Sequence, residues 1–425
     1  MHEVQQQVLG YDMVTDGVAT HHTLPLVIGV LADLYAEAAP DERDIPLRER
    51  SWIDISSSTM EAVLQGLRPS ASTVQGLRNL LGKVDACSQV RVQLLNISAT
   101  DALHDLQKAV APNQSMLFDR VIREGLGTFG ADPMSLLVTD YAIGHTTDDV
   151  ELVRLLSQLG QAAHAPCIFS SSSQMFSLES FADLHRPRSL MKIFEGMEYS
   201  PWIQFRQEES AKFAAITLPG MTVPANTADG AVTTMNSAWV LAARIAKGFD
   251  AFDWPVAFTG FEEDVLIPSK DISAGRAEEL IDLGFVPVCV RQGVHQTAVL
   301  GAMSTSLPKK YLNEDTSFEA KQQASLQATM VMARFVHTIR ALLREETGSL
   351  TKPEQLQARL NTWIQRYVQD RAEDTTAVKP LRSASIGLIH REGERANELR
   401  LKIHPTWQMD WLTAPLEANF PVLLH

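Results

Sequence analysis

The sequence predicts a mixed α/β (α+β) fold of layered domains, with mixed sheets flanked by helices, long helices in the C-terminal half and a β-rich C-terminus. Three observations predict it. Between Leu24 and Leu218, short apolar runs bounded by turn residues alternate with amphipathic stretches. Two longer helical patterns follow, over 316–346 and 353–369. Close to the end, Leu399-Arg400-Leu401-Lys402-Ile403 alternates strictly between apolar and charged, the period of a half-buried strand.

The first strand is predicted over 24–31 (LPLVIGVL), which is apolar and β-branched in its middle. A polar loop, 37–50, leads to a short alternating strand, Trp52-Ile53-Asp54-Ile55. Ser58-Thr59-Met60-Glu61 has the capping-box pattern of a helix that ends near Gly66, and a second short helix over 73–81 stops at Gly82. Residues 90–97 read as a strand, with Thr100 placed to cap a helix running to about 110. A helix over 115–124 and a strand at Leu136-Leu137-Val138 come next. The stretch 149–163 is an amphipathic helix with Leu152, Leu155, Leu156 and Leu159 on one stripe. Strands follow at Cys167-Ile168-Phe169 and over 213–218. In the long helices the stripes are Val331, Phe335, Ile339 and Leu342, then Leu356, Leu360, Trp363 and Tyr367, with Pro353 suited to a first turn. Residues 384–388 and 399–403 close the chain as strands.

At 425 residues the chain has length for two or three domains and a large core. A formal charge of −14 repels phosphate backbones and anionic headgroups, and the arginines and lysines are dispersed. Neither nucleic acid nor a membrane surface is therefore an expected partner. Cys87, Cys167 and Cys289 stand far apart without a CxxC pair and read as buried thiols of a reducing compartment. The opening MHEVQQQVLGYD has neither the basic nor the apolar region of a signal peptide, and the run 24–31 is too short to span a bilayer. A cytoplasmic protein is expected.

Gly125-Leu126-Gly127-Thr128-Phe129-Gly130 is a literal GxGxxG. A dinucleotide fingerprint needs a strand before it and a helix after it, so that the helix N-terminus meets the pyrophosphate. Here a helix precedes and a strand follows, so the glycines read as a structural loop. His337 lies one turn from Arg334 and one from Arg340, cations that would lower its pKa, and no Glu or Cys stands at ligand spacing. It reads as a packing or interface histidine. His164 ends an apolar helix before Pro166, a place that suits a histidine beside the negative end of the helix dipole. Ser170-Ser171-Ser172-Ser173 reads as a solvated turn capping the next helix, and Arg206, Glu208 and Glu209 as surface pairs of small energy. There is no HExxH, GxSxG or Walker lysine loop, and no nucleophile, base and orienter at workable spacing. No catalytic, cofactor-binding or metal-ligating residue is assigned.

From about Val74 to the end, several segments occur in a telling order and spacing. They include Leu94-Leu95-Asn96-Ile97-Ser98, Ser115-Met116-Leu117-Phe118, Ala163-His164-Ala165-Pro166, Trp202-Ile203-Gln204-Phe205-Arg206, Leu218-Pro219-Gly220 and Arg334-Phe335-Val336-His337. Together they resemble the large subunit of the type VI secretion contractile sheath, the TssC/VipB (ImpC/EvpB) family. The first seventy residues resemble the small sheath subunit, TssB/VipA, through 24–34 (LPLVIGVLADL), Pro46-Leu47-Arg48-Glu49-Arg50 and Met60-Glu61-Ala62-Val63-Leu64. The chain thus resembles a small-subunit segment (1–70) joined to a large-subunit body (74–425), the body expected as two packed subdomains meeting near 220–260. The C-terminal half of the small subunit has no counterpart. Nor has the N-terminal helical region of the large one, which in this family carries the signal for the unfoldase ClpV, so ClpV is a doubtful partner.

The resemblance implies a structural subunit, not an enzyme, that self-associates into a helical sheath around a tube of Hcp protein and meets baseplate proteins. A separate TssB-like small subunit is a further implied partner. Family subunits link through strands donated between neighbours, and contraction releases strain held in the extended packing. The candidate linking strands are the tail, through Leu399, Leu401 and Ile403, and the N-terminal stretch with Val4 and Val8. An ordinary intramolecular strand is the competing reading of the tail. Two alternatives stand beside the sheath: a cap or accessory subunit of the same apparatus, and an α/β enzyme or ligand-binding protein, which would need a polar pocket with perturbed titratable groups.

Overall fold

A computed structural model of the chain describes residues 7–15, 18–38, 45–109, 114–224, 232–263, 266–290, 296–345, 353–369, 379–389, 398–406 and 412–422. The strands, in chain order, are β1 (Gly10–Thr15), β2 (Val18–Thr23), β3 (Leu26–Ala32), β4 (Ile53–Asp54), β5 (Val90–Asn96), β6 (Leu136–Ile143), β7 (Cys167–Ser171), β8 (Ala214–Leu218) and β9 (Met221–Pro224). They continue as β10 (Val232–Met235), β11 (Gly260–Glu263), β12 (Ile267–Pro268), β13 (Phe285–Val290), β14 (Gln296–Val299), β15 (Leu381–Ile389), β16 (Glu398–Pro405) and β17 (Leu416–Pro421).

A nine-stranded sheet in the order β11-β14-β13-β8-β7-β6-β3-β5-β4 forms the larger lobe. From β13 to β5 neighbours run parallel, while β4, β14 and β11 add antiparallel edges. Parallel strands covered on both faces need apolar side chains at every position. β3 meets that demand: Val27 and Leu31 face one core, and Leu26, Ile28, Val30 and Ala32 face the other. Helices Ala99–Lys108, Thr147–Ala163 and Ser200–Phe205 cover the first face. Helices Ala71–Val84 and Ala238–Phe252 cover the second.

The smaller lobe has its own core, built from Leu9 and Tyr11, the helix Pro353–Gln365 and the antiparallel sheet β15-β16-β17. The long helix Leu326–Glu345 belongs to both lobes. Leu326 and Met330 join the large sheet's core, and the predicted stripe of Val331, Phe335, Ile339 and Leu342 joins the small one.

Several local expectations are corrected. The helix Met60–Leu64 is opened two residues earlier than the predicted box: Thr59 N donates to Ser56 Oγ, and Ser56 N donates to Thr59 Oγ1. Ser98, not Thr100, caps Ala99–Lys108 by accepting from Asp101 N. Gly82 does not stop its helix, because Leu80, Leu81 and Val84 are all buried and one interior glycine costs only about 1 kcal/mol. The helix expected over 115–124 takes a wider turn at Asp119–Arg123. The helix expected over 316–346 breaks in two at Ala324 and Ser325, where Ser325 bridges to Met303 and then caps the long helix through Ala328 N. Cys87 is half-buried, while Cys167 and Cys289 are buried. The sequence reading missed the hairpin β1–β2, all elements between β9 and β14 including the helix Ala238–Phe252, and β17.

Candidate assembly surfaces

The order β5-β3-β6-β7-β8 is that of a doubly wound sheet, which opens a ligand crevice where the strand order reverses, beyond the carboxyl ends of β3 and β6. In this chain a side chain spans that place. Tyr141, buried on β6, reaches past the end of β3 and donates to Ile97 O at 2.8 Å. Beside it Asp140 accepts from Thr73 Oγ1 (2.6 Å), Asn236 Nδ2 (2.7 Å) and Trp239 Nε1 (3.0 Å). Burial raises the Asp140 pKa against these hydrogen bonds, and the carboxylate ties two helices to the sheet. Among the described residues no group of three or more His, Cys, Asp or Glu is placed to hold a metal ion.

The glycine motif begins within the helical segment Glu124–Leu126 and leads toward β6, the reverse of a dinucleotide turn. Gly130 has φ +72°, which favours glycine. The loop's carbonyls serve the long helix: Arg344 Nη1 donates to Gly125 O (3.1 Å) and Ala131 O (2.9 Å). The serine run is also no solvated turn. Ser170 and Ser171 are buried in β7, and Ser170 Oγ accepts from Ala238 N at 3.0 Å, capping a helix that starts 68 residues later.

Arg344 completes a row with Arg334, His337 and Arg340 at three- and four-residue spacing on the long helix. Arg334 donates to Leu24 O (2.8 Å) and Pro25 O (3.2 Å) and lies 4.8 Å over the Phe249 ring. His337 Nε2 donates to Ala163 O (2.8 Å) and Arg340 Nη1 to Ala162 O (3.0 Å). Those two acceptors belong to the last turn of Thr147–Ala163, whose final carbonyls have no partner within the helix and carry the negative end of its dipole. The row therefore fastens the long helix to the large sheet's lobe.

Burial, and only then Arg340 and Arg334, pushes the His337 pKa down to about 3. The ring is neutral, and burial outweighs the arginines that the sequence reading named. His164 is not a cation at a helix end. It is the left-handed C-cap, buried against Phe213 and Phe420, and burial pushes its pKa far down. Arg206 is not in a surface pair either: it is 7% exposed, donates to Thr305 O at 2.8 Å, and burial lowers its pKa to about 10. Glu209 does pair at the surface, with Lys212 at 2.9 Å.

The predicted linking strands fall as follows. Leu399, Leu401 and Ile403 are buried and Arg400 and Lys402 exposed, as their alternation requires. Yet β16 is the middle strand, bonded to β15 on one side and β17 on the other, so it offers no free edge for an incoming strand. The outer strands of this sheet are β15 and β17. Val4 lies outside the described residues, and Val8 precedes β1 in no strand. The N-terminal segment is instead pinned at Gly10, whose carbonyl accepts from Trp363 Nε1 (2.9 Å) and the Tyr367 hydroxyl (2.8 Å).

Comparison with known proteins agrees with this architecture. The VipB tail sheath N-terminal domain matches residues 65–226, and the VipB tail sheath gpW/gp25-like domain matches 315–419, between them more than half of the chain. The type VI secretion system VipA family matches residues 6–103. The type VI secretion system sheath protein TssC1 of Pseudomonas aeruginosa (strain PAO1) is 27% identical over 391 residues, covering 81% of this chain and 78% of that protein. The fold resembles a subunit in the anti-feeding prophage baseplate in its contracted state, with TM-score 0.51 and 13% identity over 89% of this chain and 90% of that one. It also resembles one in the six-fold symmetrised baseplate, with TM-score 0.50 and 11% identity over 89% of each chain. With both VipB domains present in order on one chain, this protein belongs to the VipB (EvpB) family of type VI secretion tail-sheath proteins.

Proposed function

We propose that the chain is a structural subunit of a type VI secretion contractile sheath, that it works through contacts between copies, and that it catalyses no reaction. The two VipB sheath domains within one chain carry this reading. The geometry supports it. A subunit that transmits a stroke must move as a body, and the cation row binds the lobes through carbonyls of Leu24, Ala162 and Ala163. Links between such bodies by strand addition fall to the outer strands β15 and β17, with the face formed by Leu399, Leu401 and Ile403 holding the sheet in place.

The 1–70 segment and the 74–425 body are inherited pieces of a small and a large sheath subunit, fused with β3 of the first paired between β5 and β6 of the second. The inner tube is an Hcp-type protein, the end contacts are baseplate proteins, and the polymer forms in the cytoplasm. No helix among the described residues is long and apolar enough to cross a membrane. Negative-stain microscopy and cosedimentation of the purified chain test the proposal. Long tubes support it, and a discrete ring points to a cap. A monodisperse chain that turns over a small molecule and binds neither tube nor baseplate overturns it.

A further inference from the structure

Residues 6–103 carry the VipA likeness, and their strands hold interior places in the large sheet. β3 pairs with β5 from Leu26, opposite Val90, to Ala32, opposite Asn96. On its other side Ile28 to Leu31 pair with Leu136 to Thr139 of β6. All seven of its residues are buried. β5 has β3 on one side and β4 on the other, so both of its edges are bonded to strands from the first seventy residues. β6 is likewise filled, by β3 and β7. A second strand of the β3 kind therefore meets no free edge at this place.

Side chains extend the interlock. Trp52 Nε1 donates to Arg120 O (2.9 Å), and Arg50 Nη1 donates to Asp101 Oδ2 (3.0 Å). In the smaller lobe Arg366 Nη1 donates to Asp12 Oδ2 (2.7 Å), and Leu9 and Tyr11 lie in the core. Gly29 shows how closely the pieces fit: a Cβ there would fall 2.8 Å from Trp52 Cη2 and 2.6 Å from Met134 Sδ, one on each side of the family junction.

We propose that the chain is a one-component sheath subunit: residues 6–103 serve in cis as the small-subunit partner, and copies assemble without a separate TssB-type protein. This rests on the sheath reading and names its partner. The physical ground is competition. A tethered strand faces its place at an effective concentration on the order of millimolar. Releasing β3 would expose Leu26, Val27, Ile28, Val30 and Leu31 to water and leave two ladders unpaired. A strand from a free subunit would restore only the contacts it displaced, from a lower concentration.

The test expresses the full chain in a host without type VI genes, alone and together with each TssB-type subunit encoded in its own genome. The assembled fraction, read by cosedimentation, should differ by less than about twofold between the two conditions, because nothing binds to shift it by mass action. Any TssB-type subunit should stay in the supernatant. Hydrogen exchange in the tubes should show β3 as protected as β6 and β7 in both conditions. Assembly that needs the second protein, or rises about tenfold or more with it, overturns the inference and leaves the sheath reading standing. A constant ratio of that protein in washed tubes does the same, as does faster exchange in β3 when it is added. No assembly in either condition overturns the sheath reading, and the inference falls with it.

Discussion

Replacing His337 with glutamine isolates how much of the fold's acid sensitivity one buried ring carries. The native pKa is about 3 and the unfolded one about 6.5. Between those values the unfolded chain binds a proton that the native state refuses, so stability rises with pH. The contribution is fully present above about pH 6.5 and is lost progressively as pH falls toward 3. At about 1.36 kcal/mol per pH unit for one proton, acidification from 6.5 to 5 costs about 2 kcal/mol. Glutamine keeps a donor for Ala163 O and takes no proton in this range. His164 is present in both proteins, so its own acid sensitivity is common to them apart from its coupling to His337. Urea unfolding at pH 7 and pH 5, followed by tryptophan fluorescence, should show the wild type losing about 2 kcal/mol more than His337→Gln. A chain of 425 residues exceeds the size at which two-state unfolding is the rule, so the shift of the transition midpoint is read alongside. Equal losses in the two proteins would mean that the ring is charged or wet in the native state, and the account of the cation row would fail.

Gly76→Ala should destabilise by about 1–3 kcal/mol, because the added Cβ would fall 2.3 Å from Trp239 Nε1 and disturb its bond to Asp140; thermal melting reads it. Leu401→Ala should cost about 2–5 kcal/mol in urea unfolding, whereas Arg400→Ala, one residue away on the wet face, should stay within about 0.5 kcal/mol; equal effects would contradict the assigned faces of β16. Deletion through Gly10 should lower the melting temperature by removing buried Leu9 and the acceptor of Trp363 and Tyr367. Loss of polymer in that deletion would therefore report a damaged fold.

What the sequence made legible is what local pattern determines. The apolar run of β3, the stripe Val331, Phe335, Ile339 and Leu342, and the alternation of β16 each state their own burial, because a period of two or of 3.6 is set by neighbouring residues. Partners remote in sequence were not legible. Nothing near Ser170 says that its hydroxyl caps a helix opening at Ala238, and nothing near Arg206 says that Thr305 will bury it. The break at Ser325 comes from a pairing with Met303, so the helical periodicity ran straight through it. The cation row did leave a trace: Arg334, His337, Arg340 and Arg344 share a face at helical spacing. Charges at that spacing next to an apolar stripe are ordinarily solvated. Only the fold reveals that they meet the spent end of another helix.

Perturbed titratable groups usually point to catalysis, and this chain has many. Five of the buried ones meet main-chain carbonyls. Cys167 Sγ meets Leu156 O, Arg206 meets Thr305 O, Arg334 meets Leu24 O, His337 meets Ala163 O and Arg340 meets Ala162 O. A backbone carbonyl neither takes nor gives a proton near neutrality, so none of these pairs can relay one to a substrate. What each pair does is fix the distance between segments far apart in the chain, with an acceptor that no side-chain rotation can withdraw. The crevice at the strand reversal, spanned by Tyr141, is consistent with the same use of the fold. Arg334, His337 and Arg340 lie along the seam between two lobes. Swapping Arg334 for methionine should therefore loosen that seam, leaving Leu24 O and Pro25 O unpaired at about 1–3 kcal/mol. Hydrogen exchange should then quicken in β1 and the long helix before it does in β6 and β7. Uniform quickening across both lobes would show that the row supports general stability and does not join two bodies.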